Sequence, residues 1–81
     1  MKIPRDCDGH DLAKLLRKNF DYELTRQSGS HMVLTTQRNG EHHITIPAHR
    51  PIKVGTLQGI LKDLANHHQL TPEALLRRLG L

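Results

Sequence analysis

The sequence has few of the residues that build large cores or covalent cross-links. Its 81 residues include one cysteine, one phenylalanine, one tyrosine and no tryptophan. One cysteine excludes a disulfide within the chain, which favours a reducing compartment. No apolar run approaches the roughly 20 residues that span a bilayer, and the first residues lack the apolar segment of a signal peptide. We therefore expect a cytoplasmic protein with a thin aliphatic core and no membrane partner.

The length and the charge limit the organisation and the choice of partner. A chain of 81 residues is too short for two cores, so residues 1–81 are predicted to form a single domain. Lys and Arg number 12 against 8 Asp and Glu, a net charge of +4. This balance favours nucleic acid or an anionic protein as the partner. Ordinary solubility charge explains it about as well.

The apolar pattern predicts a helix, three strands and two further helices. Leucines three and four residues apart indicate helices, alternation indicates strands, and Thr-Pro-Glu opens the last, short helix before Gly80. This order predicts an α+β fold of two layers, with helices on one face of a three-stranded antiparallel sheet. The other face is left to solvent or a partner. The predicted elements are Gly9–Lys18, Phe20–Gln27, Met32–Arg38, Glu41–Ile46, Val54 to His67 or His68, and a helix from Thr71.

The register of the second hairpin has two solutions. Asn39-Gly40 is a strong signal for a two-residue turn, which would pair Val33 with Ile46 and place His31 on the more apolar face. A bulge or a three-residue loop would shift the pairing by one residue and change that alignment. His31 is therefore predicted either at the rim of the core face or on the open face.

A Gly-Ser pair precedes His31 at the head of an apolar strand. Gly29 permits backbone angles closed to other residues, and Ser30 adds a hydroxyl beside the imidazole. An ordinary imidazole has a pKa near 6.5, so it can take up or release a proton at neutral pH. The placement suggests a histidine presented for chemistry; a plain surface histidine at a strand start is the alternative.

Four stretches of the sequence resemble the HicA toxin family, in the order that the family has them. They are the leucine-rich first helix with the segment after it, Arg26 to His31 with its Gly-Ser-His, Ile46-Pro47-Ala48-His49, and Gly55-Thr56-Leu57 followed by Ile60-Leu61. Gly59 departs from the pattern, because a larger polar residue is common there. A glycine inside a helix costs about 1 kcal/mol.

The resemblance implies a fold similar to a double-stranded-RNA-binding domain and an mRNA-cleaving toxin that requires no metal or other cofactor. It further implies that His31 is the catalytic residue, with Gly29 and Ser30 supporting it, and that a HicB-like antitoxin blocks the site. Arg26 is the nearest candidate for binding RNA, and Arg50 and Lys53 are weaker ones. DNA binding by this chain alone is not expected.

The other histidines have competing interpretations. His42 and His43 are adjacent on a strand and should point to opposite faces. His67 and His68 end a helix, where protonated imidazoles suit the dipole. His49 is predicted either as a second proton carrier or as a loop cap. Because the single cysteine has no His-x₃₋₅-His partner pair, a zinc site is not expected.

Two other functions remain open at the level of sequence. The same fold and charge suit a non-catalytic module that binds duplex RNA by its shape and phosphates. The basic residues expected along the second helix of such a module are few, with Lys53 and Lys62 only. A pure protein-interaction subunit is the third possibility, because Met32, Val33 and Leu34 are apolar on both faces of a strand.

Overall fold

The computed structural model describes residues 3–81 and confirms the predicted two-layer α+β architecture. Three strands form one antiparallel sheet in the order β1-β2-β3, and the helices pack on one of its faces. The elements are α1 (Gly9–Phe20), β1 (Glu23–Ser28), β2 (His31–Thr36), β3 (His42–Pro47), α2 (Val54–His67) and α3 (Pro72–Leu79).

Helix α1 is longer than predicted. Asp8 caps it by accepting a hydrogen bond from the His10 backbone N–H at 2.8 Å. The helix then continues through Phe20, and Asp21 ends it in the left-handed conformation with φ of 59°. The predicted start of the first strand at Phe20 was wrong, because β1 begins at Glu23. Phe20 and Tyr22 alternate in the sequence because both rings are buried, one at the end of α1 and one in the segment that joins α1 to β1.

The core lies between the helices and one face of the sheet. Alternate residues of β2 and β3 point into it, and apolar stripes of the three helices cover them. Thr71 accepts a hydrogen bond from the Ala74 N–H at the start of α3, and Gly80 ends that helix with φ of 77°, as predicted. Within residues 3–81 no helix combines the length and apolarity that crossing a membrane requires.

The β2–β3 pairing follows the shifted register. Met32 pairs with Ile46 and Leu34 with Ile44, and the ladder ends at Thr36 and His42. Of the two registers that the sequence left open, the one with a two-residue turn at Asn39-Gly40 was therefore wrong. The loop spans residues 37–41, and the Gly40 N–H donates to the Gln37 carbonyl at 3.1 Å. One residue of shift places His31 on the open face, where its side chain is exposed.

Strand β1 is an exposed edge with a bulge between Leu24 and Arg26. The extra residue changes which side chains share a face. Beyond the bulge Arg26 pairs with Val33, and Ser28 pairs with His31. Arg26 and Ser28 therefore lie on the same open face of the sheet as His31.

Candidate active site

The turn that carries His31 is a tight hairpin between β1 and β2. Ser28 and His31 close it, and Gly29 and Ser30 form its tip. Gly29 has φ of 56°, a value that a two-residue hairpin demands of its first residue and that a side chain would strain. Ser30 is also tied across the sheet, because its carbonyl accepts the Ala48 N–H at 2.6 Å. His31 therefore stands on a fixed backbone.

The segment that follows β3 is held against the start of α1. The Gly9 N–H donates to the His49 carbonyl at 3.0 Å. A Cβ at Gly9 would overlap the Pro47 carbonyl oxygen, so only glycine allows this approach of the two backbones. His49 is therefore held in place from both sides, by α1 through Gly9 and by the β1–β2 turn through its neighbour Ala48.

These two fixed segments and the start of α2 enclose a cleft of about 320 Å³. The sheet, the loop after β3 and the first turn of α2 each supply part of its wall. No acidic side chain lines it, the first turn of α2 holds none, and no side chain caps that helix end. The cleft is thus electropositive, since the helix dipole and a lysine both add positive charge. Its lining residues are His31, Thr45, Pro47, His49, Lys53 and Thr56.

A larger hollow of about 800 Å³ lies elsewhere, between the start of the described chain and α3. Most of its lining is apolar, including Ile3 and Leu76, and three lining side chains are charged, those of Arg5, Glu73 and Arg77. None of its lining side chains is a histidine or a cysteine. Proton transfer near neutral pH requires a group such as imidazole, and the smaller cleft contains two, those of His31 and His49.

The structure brings only some of the predicted site residues together. His31 and Lys53 line the cleft, and so does His49. Arg26 lies on the open face but outside the cleft lining. Arg50 also lies outside it, and its Nε is 2.8 Å from Asp8 Oδ2, so this guanidinium is drawn to the cap of α1.

The seven histidines divide into two groups. Four imidazoles are engaged in hydrogen bonds, those of His42, His43, His67 and His68. The remaining three, His10, His31 and His49, make no side-chain hydrogen bond within the described residues 3–81. Two of those three line the cleft, so their nitrogens are available to a bound molecule.

A buried polar network that was not predicted from the sequence lies at the opposite end of the sheet. The Tyr22 hydroxyl lies 2.7 Å from His42 Nδ1 and 2.9 Å from His68 Nε2. His42 Nε2 lies 3.1 Å from Asp63 Oδ1, and the His67 ring stacks on His42 with centroids 4.3 Å apart. The adjacent pairs of histidines in the sequence were the only visible signal, and no spacing rule joins them to Tyr22.

The carboxylate assigns the direction of this hydrogen-bond chain. The Asp63 carboxylate can only accept, so His42 Nε2–H donates to it, and an imidazole with its hydrogen on Nε2 accepts at Nδ1 from the Tyr22 hydroxyl. Tyr22 has no second hydrogen, so His68 Nε2–H donates to its oxygen. The remaining nitrogen, His68 Nδ1, is a buried lone pair without a partner among the described residues.

The network corrects the prediction for His68. Only 5% of this residue is exposed, and its ring packs 4.5 Å from that of Phe20. Burial, followed by the neighbouring His67, His42 and Arg38, lowers the pKa of His68 from 6.5 to about 4. The prediction that a protonated His68 interacts with the helix dipole was therefore wrong. Burial also raises the pKa of the Tyr22 hydroxyl, with Asp63 adding to the effect.

The described residues hold no group of three or more His, Cys, Asp or Glu side chains arranged to bind a metal ion. Cys7 is a buried free thiol, and burial with the nearby Asp11 and Asp8 raises its pKa. A raised pKa keeps the thiol protonated and unreactive. The chemistry within reach of the cleft is therefore that of imidazole and lysine side chains.

The sequence of this chain matches one family of known proteins. Residues 9–65 match the family described as "HicA toxin of bacterial toxin-antitoxin". The match begins at the glycine that packs against Pro47 and includes every residue lining the cleft. No significant match is found among curated proteins or among solved structures.

Proposed function

Because this chain belongs to the HicA toxin family, we propose that it is an endoribonuclease that cleaves mRNA and inhibits translation until its antitoxin binds. The observation that carries the proposal is the cleft. Its lining contains Lys53, no acidic side chain, and the exposed imidazole of His31, which makes no hydrogen bond within residues 3–81. A cytoplasmic protein would meet this substrate directly. The proposal requires no metal ion, because RNA supplies its own nucleophile.

Cleavage needs three contributions at one phosphodiester. The 2′-hydroxyl must lose its proton as its oxygen attacks phosphorus, the departing 5′ oxygen must gain one, and the extra negative charge on the phosphoryl oxygens must be stabilised. His31 supplies one of the proton transfers, which contributes roughly 10²–10⁴-fold to the rate. Lys53 and the positive end of α2 supply the charge. Gly29 and Ser30 act through the backbone that holds His31.

RNA would enter the cleft along the open face of the sheet. Arg26 lies on that face two residues along the ladder from the pair Ser28–His31, so it can contact a phosphate of the same strand of RNA. Arg50 is a poorer candidate, because Asp8 already holds its guanidinium. We therefore expect Arg26→Ala to weaken RNA binding more than Arg50→Ala does. Binding by Arg26→Ala should also depend less on salt than binding by the parent, because one phosphate contact is lost.

The partner follows from the family. A member of a toxin–antitoxin family has a cognate antitoxin, and we propose that a HicB-like protein binds this chain over the cleft and excludes RNA from it. The net charge of +4 favours an acidic contact surface on that partner. Binding of DNA by this chain alone is not part of the proposal.

The experiment is cleavage of a defined mRNA by purified protein in EDTA, with the cut sites mapped by primer extension. His31→Ala should slow cleavage by roughly 10²–10⁴-fold. Its circular dichroism spectrum and unfolding transition should match those of the parent, because an exposed side chain contributes little to stability. His10→Ala, an exposed histidine outside the cleft, is the matched control and should cut normally.

Other outcomes would reject the proposal. If His31→Ala cuts as fast as the parent, His31 has no part in the chemistry. Tight, salt-dependent binding of duplex RNA with no cleavage by the parent protein would favour the non-catalytic binding module. Expression without the antitoxin gives a second readout, since a toxin arrests growth and co-expression of its antitoxin restores it.

A further inference from the structure

The candidate cleft contains a second unpaired imidazole, and we infer that His49 transfers the other proton of the cleavage reaction. The inference rests on the proposed ribonuclease function and adds a catalytic residue to it. A single histidine must serve two oxygens on opposite sides of the phosphorus. Two histidines divide the task, one as base at the 2′-hydroxyl and one as acid at the 5′ oxygen.

The backbone places His31 and His49 on neighbouring segments at the cleft. His31 pairs with Pro47 across the ladder, and the Ala48 N–H still donates to the Ser30 carbonyl one residue beyond it. The chain after β3 therefore keeps its course beside the β1–β2 turn. His49 follows Pro47 by two residues, and both line the cleft with His31. In a ladder, residues in this diagonal relation lie about 7–8 Å apart. A phosphodiester bound in the cleft would therefore lie within reach of both side chains.

The reaction balances with these two groups alone. The base takes the proton of the 2′-hydroxyl while that oxygen forms a bond to phosphorus. The bond from phosphorus to the 5′ oxygen breaks, its electron pair stays on that oxygen, and the acid donates a proton there. The products are a 2′,3′-cyclic phosphate and a free 5′-hydroxyl, so no metal, water or redox partner is consumed.

The fixed position of His49 also argues against a loop-capping role. Its own carbonyl accepts the Gly9 N–H, and that of Ser30 accepts the Ala48 N–H, so backbone groups already secure this segment. The His49 side chain is exposed and makes no hydrogen bond within residues 3–81. A capping imidazole would be engaged by backbone groups, as His67 is by the Arg38 carbonyl at 3.0 Å.

The test uses an oligonucleotide that carries the mapped cleavage site in two forms. One has the natural linkage, and the other has sulfur in place of the bridging 5′ oxygen, a leaving group that needs no proton. His31→Gln and His49→Gln should each slow cleavage of natural RNA by roughly 10²–10⁴-fold. On the sulfur substrate, the variant that lacks the acid should regain the parent rate, whereas the variant that lacks the base should stay slow.

The outcomes separate this inference from the proposed function. Rescue of one variant and not of the other supports the pair and identifies the acid. The role of His49 is overturned if His49→Gln cuts natural RNA at the parent rate. It is also overturned if both His31→Gln and His49→Gln are as slow on the sulfur substrate as on natural RNA. Absence of cleavage by the parent, or full activity of His31→Gln, rejects the proposed function itself. His10→Gln is the control, and circular dichroism confirms the fold of each variant.

Discussion

Acidification should destabilise this protein through His68, and the effect is large enough to measure. In the folded state the pKa of His68 is lowered to about 4, whereas the unfolded chain has the ordinary value of 6.5. Between these two pKa values, His68 is protonated in the unfolded state and neutral in the folded state. The contribution of neutral His68 is therefore complete above pH 6.5 and is lost as the pH falls toward 4.

The magnitude follows from the shift. At about 1.4 kcal/mol for each pKa unit, the lost free energy of unfolding is about 3 kcal/mol. A domain of this length has about 4–12 kcal/mol in total, so the loss is a large fraction. The physical cause is visible in the network: a proton on His68 Nδ1 would be buried without an acceptor among the described residues, since Nε2–H is already given to Tyr22.

The assay is urea unfolding followed by circular dichroism at a series of pH values from 7 to about 4. His68→Gln is the informative variant, because an amide N–H can replace Nε2–H toward Tyr22 and does not titrate. The free energy of unfolding of the parent should fall toward that of the variant by about 3 kcal/mol across this range. His10→Gln, an exposed histidine, should follow the parent. Parallel curves for the parent and His68→Gln would refute the reasoning.

Two further substitutions test the packing. Gly9→Ala should lower the free energy of unfolding by about 1–3 kcal/mol, because its Cβ would overlap the Pro47 carbonyl. Gly59→Ala is its matched control: it lies inside α2 with open space around the added Cβ and should raise stability by about 1 kcal/mol. Tyr22→Phe should cost about 1–3 kcal/mol in chemical unfolding at pH 7, since it leaves nitrogens of His42 and His68 without their partner. Gly9→Ala and Gly59→Ala changing stability alike, or Tyr22→Phe leaving it unchanged, would contradict these accounts.

Local signals in the sequence determined the element types and most of their bounds. The heptad-like spacing of Leu57, Ile60, Leu61 and Leu64 predicted α2, and Thr71 and Gly80 delimited α3, because caps and apolar stripes depend on neighbours a turn away. The Gly-Ser-His motif singled out His31 because its three residues are adjacent in the chain. Phe20 misled the prediction, since the burial of two aromatic rings by tertiary contacts looks like strand alternation in the sequence.

Tertiary structure alone decided which residues meet. The register of β2 and β3, set by a loop longer than Asn39-Gly40, placed His31 on the open face. Close packing of Gly9 on Pro47 held the segment of His49, and the cleft then joined these histidines to Lys53 at the start of α2. Likewise, Tyr22 reached His68 across 46 positions of the chain. Such contacts depend on how elements pack, so the sequence determined the candidate residue, and the fold determined its companions.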